Sequence, residues 1–143
     1  MTIENILRKK GSAVERIAPR TTTKLAIDRM REKNISALVV VDDDEILDIV
    51  SERDILQALA RHGKSPAALM VEDAMSGAMV TITLGDSVRR AMRLMTQHRV
   101  RHLPVMRDRL LVGIVSIGDV VKDRLEDLEI ETNVLRDAYI ARR

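Results

Sequence analysis

The chain has 143 residues, with 24 Lys+Arg against 22 Asp+Glu for a formal charge of +2, no cysteine, and one aromatic side chain, Tyr139. An apolar fraction of 45% is enough for a packed interior and excludes a disordered chain. The missing cysteines exclude disulfides, thiolate metal sites and a Cys nucleophile, and the missing aromatics exclude a platform that stacks single-stranded bases.

The charge is mixed along the chain rather than gathered into a basic arm, so no nucleic-acid partner is expected. The longest purely apolar run, Ala37-Leu38-Val39-Val40-Val41, is far short of a membrane span, and the first residues lack the pattern of a signal peptide. A soluble cytoplasmic protein with no membrane partner is expected.

Taken in chain order, Ile3–Lys9 has the pattern of a short helix. Val14–Ile17 is extended, and Thr21-Thr22-Thr23 offers oxygens to cap a helix carrying Leu25, Ala26 and Met30 on one face. A β-branched run, Ile35–Val41, is expected as a strand, followed by a charged turn at Asp42-Asp43-Asp44 and a second strand, Ile46–Val50. Ser51 then begins another helix. Arg61-His62-Gly63-Lys64-Ser65-Pro66 has the composition of a linker, with a short helix expected over Ala67–Met75.

The order then repeats. Val80–Thr83 is extended, Asp86-Ser87 can cap a helix bearing Val88, Ala91, Met92 and Met95, and strands are expected over Val100–Met106 and Leu110–Val115. From Ser116 the pattern stays helical to the end, through Val120, Val121, Leu125, Leu128, Val134, Leu135 and Ile140, longer than one small unit can cover. Its far end is expected to pack on another chain. A shift that carries Ser51 onto Ser116 also lays Ile49-Val50 on Ile114-Val115, Met30 on Met95 and Leu38 on Leu103. The chain is two copies of one β-α-β-β-α unit, an α/β (α+β) fold. The segments are 1–13 (N-terminal helical), 14–61 (first repeat), 62–78 (linker and short helix), 79–125 (second repeat) and 126–143 (C-terminal helix).

In Gly113-Ile114-Val115-Ser116-Ile117-Gly118-Asp119 a strand ends in a hydroxyl and a carboxylate stands at the next helix start. Such a helix start can receive an anion, and the carboxylate suits the paired hydroxyls of a ribose. A plain cap, with Ser116 at the N-cap and Asp119 in the first turn, fits the same spacing. Finding the pattern in both halves favours a site.

These motifs, with Ile49-Val50-Ser51-Glu52-Arg53-Asp54-Ile55 and Val100-Arg101-His102-Leu103-Pro104-Val105, resemble the CBS (cystathionine β-synthase) domain family in its tandem, or Bateman-module, form. The resemblance spans about Val14 to Leu125. It implies two repeats packed about a pseudo-twofold axis and two clefts for an adenosine-containing ligand: AMP, ADP, ATP, NAD(H) or S-adenosylmethionine. It further implies that Asp119 and Asp54 hold ribose hydroxyls and that Ser116 and Ser51 meet phosphate or ribose. Arg101, His102 and Arg53 would contact phosphate, Thr21, Ser36 and Ala37 would border the adenine, and Ile114 and Ile49 would wall the base. The expected function is regulatory rather than enzymatic: a homodimer that signals to an effector protein by changing shape.

Three departures make the clefts unequal. Asp48 stands where the family pattern has Gly, opposite Gly113; Ser36-Ala37 lack the charge of Arg101-His102; and Gly118 replaces the cation of Arg53. The second-half set Ser116, Asp119 and His102 is therefore ranked above Ser51 and Asp54. The alternatives are a ligand-free dimerisation scaffold, an S-adenosylmethionine-binding sensor, and an enzyme with Ser116 as nucleophile, Asp119 as orienter and His102 as base, although no nucleophile elbow or phosphate loop accompanies those three. His98 and His102 have no third ligand in the sequence pattern, so no metal is required.

Overall fold

The β-branched runs zip into one hairpin per half, and each hairpin recruits a short parallel strand. In the computed structural model, which describes residues 1–77 and 79–141, β1 (Arg16–Ile17) lies parallel to β2 (Ala37–Asp42), and β2 pairs antiparallel with β3 (Glu45–Ser51). The second half repeats this order with β4 (Ile82–Thr83), β5 (His102–Arg107) and β6 (Leu110–Ser116). Helices α2 (Thr23–Lys33) and α3 (Glu52–His62) complete the first unit, and α4 (Val88–His98) and α5 (Ile117–Ala141) complete the second. Helix α1 (Ile3–Lys10) precedes both. Ala78, Arg142 and Arg143, which fall in the segments 62–78 and 126–143, lie outside the described residues.

The repeat extends to its irregularities. The ladder shifts at Val40/Val41 in one half and at Val105/Met106 in the other. Helices α2 and α4 end on left-handed residues, Asn34 (φ 53°) and Arg99 (φ 54°). The Thr22 hydroxyl accepts from the Leu25 amide and the Ser87 hydroxyl from the Arg90 amide, so the helix starts match as well. In the first hairpin Asp43 and Asp44 both take positive φ, the two-residue geometry that suits the right-handed twist of paired strands.

Each half has its own aliphatic core. Leu38, Val40 and Val50 pack with Ala26, Met30, Ile55 and Ala58; their counterparts are Leu103, Val105 and Val115 with Ala91, Met95 and Val120. Each core is closed by chain from outside its own repeat. Leu69, Val71 and Ala74 of the linker seal the first, and Ile3, Ile6 and Leu7 of α1 seal the second. Burying side chains of this size is worth about 1.5–3 kcal/mol apiece, so α1 is anchored rather than draped over the surface.

The elements differ from expectation in two places. Strands β1 and β4 have two residues each, because only Arg16–Ile17 and Ile82–Thr83 find register on the hairpin. The helix expected over Ala67–Met75 is a single 3-10 turn, Val71–Ala74. Met70 forms a β-bridge with Thr22, and the Leu69 carbonyl accepts from the Thr23 amide, which holds that backbone extended. Helix α5 runs unbroken from Ile117 to Ala141, in line with its sequence pattern, and all its described residues from Leu128 onward are exposed. Among the described residues, Asp123 Oδ1 of α5 is buried without a hydrogen-bond partner. Burial and the neighbouring Asp127 push that carboxyl above its ordinary range.

Candidate ligand-binding cleft

Both serine–carboxylate pairs sit where a strand turns into a helix, and both form the same local bond pattern. The Ser51 hydroxyl accepts from the Asp54 amide (3.2 Å) while Asp54 Oδ2 accepts from the Ser51 amide (2.9 Å). In the second half the Ser116 hydroxyl accepts from the Asp119 amide (3.2 Å) and Asp119 Oδ2 from the Ser116 amide (2.8 Å). These are reciprocal capping boxes, so the cap suggested by the spacing is present at both positions. A cap and a site are compatible. Asp54 Oδ1 takes no hydrogen bond from the described residues, since the box and the Ser51 hydroxyl both use Oδ2.

The surroundings of the two pairs differ. Beside Ser51 and Asp54 lies an open cleft of ≈ 670 Å³, within the range of about 300–1,000 Å³ usual for small-molecule sites. Ile49, Ser51, Arg53, Asp54 and Ser36 come from the first half, while Arg101, His102, Val100, Arg99 and His98 come from the second. Met79 and Val80, which lead into β4, supply an aliphatic wall. Arg53, Arg99 and Arg101 line the same cleft as the Asp54 carboxylate, so its lining carries three cations and an acceptor. The cleft can therefore hold an anion and also accept from hydroxyls.

Arg101 and His102 thus line the Ser51/Asp54 cleft, although the ranking from sequence grouped His102 with Ser116 and Asp119. In the β5–β6 ladder His102 pairs with Ser116 through its backbone. Its ring reaches the other half, where Nε2 lies 2.8 Å from the Ser36 hydroxyl. That contact bridges the two repeats and leaves the Ser116 hydroxyl capping the Asp119 amide, not facing an imidazole. The arrangement of Ser116, Asp119 and His102 as nucleophile, orienter and base is not assembled.

Burial, and after it the Lys10 ammonium, pushes the His102 imidazole below its ordinary 6.5. The fold disfavours the charged ring. The stability held by neutral His102 is therefore complete above about pH 6.5 and is lost as the pH falls from there. The melting temperature is expected to drop between about pH 7 and pH 5, and His102→Gln to flatten that part of the profile. An unchanged slope in the variant would show that another group carries the effect.

Helix α1 covers the second motif. Lys10 Nζ lies 2.6 Å from Asp119 Oδ2, and Lys9 Nζ lies 3.1 Å from Glu126. Burial alone would raise the Asp119 carboxyl, but Lys10 and the Ser116 amide and hydroxyl outweigh it and hold the group below its usual range. Leu7 packs so closely on Gly113 that a Cβ there would meet Leu7 Cδ1 at 2.8 Å. A side chain at 113 would force Leu7 to shift.

The counterpart of Gly113 explains the first departure. Asp48 is 1% exposed, and its carboxylate accepts from the amides of Ile49 (2.8 Å), Ser76 (2.9 Å) and Gly77 (3.0 Å). Asp48 also lines the cleft, but its carboxylate is engaged by three backbone amides and fastens the linker to β3. One half receives Leu7 at this position and the other receives backbone amides, so a glycine suits one and an acid the other.

The remaining residues named from sequence fall outside the open cleft. Ala37 is buried and pairs with Ser51 in the β2–β3 ladder. The Thr21 carbonyl accepts from the Val71 amide. Ile114 and Ser116 lie on β6, and Asp119 opens α5 at the α1 side. Sequence reasoning missed His98, Arg99, Met79 and Val80, which reach the cleft from the end of α4 and the run-in to β4. The left-handed turn at Arg99 aims that segment, and no composition signal marks it. Among the described residues no group of three or more His, Cys, Asp or Glu is placed to hold a metal ion, and no helix is long and apolar enough to cross a membrane.

Two β-α-β-β-α repeats, with a cleft lined by both, define a tandem-repeat module. The sequence profile of the CBS domain matches residues 12–61 and 71–126, and the chain belongs to the CBS-domain family, in paired form. It is 35% identical to the mitochondrial CBS domain-containing protein CBSX3 of Arabidopsis thaliana, over 97% of this chain and 71% of that one. Its fold is similar to that of a putative signal-transduction protein with CBS domains from Burkholderia ambifaria (TM-score 0.85, 37% identity, 89% of this chain and 96% of that one). It is also similar in fold to the CBS domain pair of protein MJ0100, solved in complex with 5-methylthioadenosine and S-adenosyl-L-methionine. There the TM-score is 0.78 and the identity 22%, over 89% of this chain and 98% of that one. Paired CBS domains are regulatory modules rather than catalytic ones.

Proposed function

We propose that this protein is a homodimeric regulatory module that binds an adenine nucleotide (AMP, ADP, ATP or NAD(H)) in the cleft bounded by Ser51, Asp54, Arg101 and His102. It then signals to an effector protein by changing shape. One observation carries the reading: a cleft of ≈ 670 Å³ lined from both repeats, with the Asp54 carboxylate and three arginines among its lining residues. Asp54 Oδ1 would accept from ribose hydroxyls, and Arg53, Arg99 and Arg101 would neutralise phosphate. Ile49, Met79 and Val80 would sandwich the base by burial alone, since the chain has no Phe or Trp.

The cleft draws its walls from both repeats, so a ligand that touches both favours one relative placement of them. Signalling needs that difference in affinity between two placements. The contact between the Ser36 hydroxyl and His102 is the link such a ligand would lengthen or replace.

S-adenosylmethionine is the second reading, favoured by the ligands solved with MJ0100. The two readings differ in charge: S-adenosylmethionine is a net cation with one carboxylate for an arginine, whereas AMP, ATP and NAD⁺ bring phosphate and a net negative or lower charge, so the three arginines favour the phosphate-bearing ligands. Isothermal titration of the purified protein against AMP, ATP, NAD⁺ and S-adenosylmethionine separates them. Binding of the phosphate-bearing ligands, weakened by added salt, is the expected result. Binding of S-adenosylmethionine alone would transfer the assignment, and no heat with any of the four would leave a ligand-free scaffold.

A further inference from the structure

The last part of α5 is exposed on every side. From Leu128 to Ala141 no described residue is buried, yet Leu128, Leu135 and Tyr139 are large apolar side chains 44%, 71% and 64% exposed. An isolated helix of this length is marginal in water, so a stable one needs a surface to lie against. The apolar positions are spaced for one kind of surface. Val121, Leu125, Leu128, Thr132, Leu135 and Tyr139 follow one another at alternating steps of four and three, the seam of a two-stranded coiled coil. Thr132, the polar member, already donates its hydroxyl to the Leu128 carbonyl at 2.9 Å, so burying it leaves that donor satisfied.

The flanking charges select both partner and direction. In a parallel, in-register pair the residue before every second seam position, here the one before Leu125 and the one before Thr132, faces the partner residue five further on. Arg124 would then face the partner's Glu129, and Glu131 the partner's Arg136; both pairs attract. The antiparallel register that buries the same seam would set Glu129 against Glu129, Glu131 against Glu131 and Lys122 against Arg136. All three repel. We infer that the α5 helices of two copies of this chain pair in parallel through the Val121–Tyr139 seam, forming a short stalk that joins the ligand-binding bodies side by side. The inference rests on the homodimer reading and adds its contact and its direction.

The absence of native cysteine makes direction directly measurable. In a parallel pair two copies of Leu135 face each other within the Cα separation a disulfide spans. Leu135→Cys is therefore expected to give a covalent dimer on mild oxidation of the full chain, while Val134→Cys, off the seam, does not. Arg136→Glu should weaken the dimer about tenfold by light scattering, and Glu131→Arg with Arg136→Glu should restore it. A dimer that persists in light scattering with no Leu135→Cys cross-link would overturn the stalk and leave the homodimer standing. A monomer at every concentration would overturn both.

Discussion

Asp54→Ala is expected to weaken adenine-nucleotide binding about 100-fold, and Asp119→Ala to change it little. A carboxylate that accepts from two ribose hydroxyls contributes about 3 kcal/mol through charge-assisted bonds, and 1.4 kcal/mol is a factor of ten. Asp54 faces the open cleft with one oxygen to spare, whereas Asp119 is held by Lys10 at 2.6 Å beneath α1. Because Asp54 also completes a capping box, part of any loss in the alanine variant comes from a frayed α3. Asp54→Asn keeps an acceptor for the Ser51 amide and removes the charge, so it separates cap from ligand contact. Calorimetric titration alongside a melting curve reads both. Equal loss in the Asp54 and Asp119 variants would sink the assignment of the open cleft as the principal site.

Asp48→Ala is expected to cost about 2–3 kcal/mol of stability and to lower the melting temperature by roughly 5–10 °C. The carboxylate accepts three backbone amides, and removing it strips Gly77 and Ile49 of that acceptor at a position 1% exposed. Ser76 and Gly77 are themselves exposed, so water can replace part of the loss, which keeps the figure below that of three fully buried donors. Ligand binding should weaken too, because the linker that Asp48 fastens continues into Met79 and Val80, the aliphatic wall of the cleft. Thermal melts and the same titration are the measurements. A variant as stable as the parent would mean that the linker is held by its apolar contacts alone.

Much of the fold was legible in the chain. Val, Ile and Leu runs bounded by charged turns specify hairpins, and the Ser–x–x–Asp spacing specifies a helix start. The shift that carries Ser51 onto Ser116 shows that the same unit is built twice. Residue choice dictates local geometry, and equal local sequences give equal local geometry down to the Asn34 and Arg99 turns. The linker helix was misjudged because residues 67–75 carry helical pattern, yet their backbone is claimed by Thr21, Thr22 and Thr23, which are distant in sequence.

The site was legible in kind but not in place. Ser51, Asp54, Arg53, Arg101 and His102 could be named as chemistry-bearing residues, and the structure brings those five together. Their grouping was out of reach, because the His102 backbone belongs to one repeat and its side chain serves the other. Internal comparison also treats the two motifs as equals, whereas α1 lies on one of them alone.

By itself the sequence determined the repeat, the aliphatic cores and the absence of any Phe or Trp to stack on a base. These follow from spacing and composition, which act within a few residues. The tertiary structure decided which cleft is open, why an acid at Asp48 and a glycine at Gly113 are both correct, and what holds Asp119. Each of those depends on a segment arriving from elsewhere in the chain: α1 on the second repeat and the linker on the first. Contacts between distant segments are set by the packing of whole faces, and no local pattern records them.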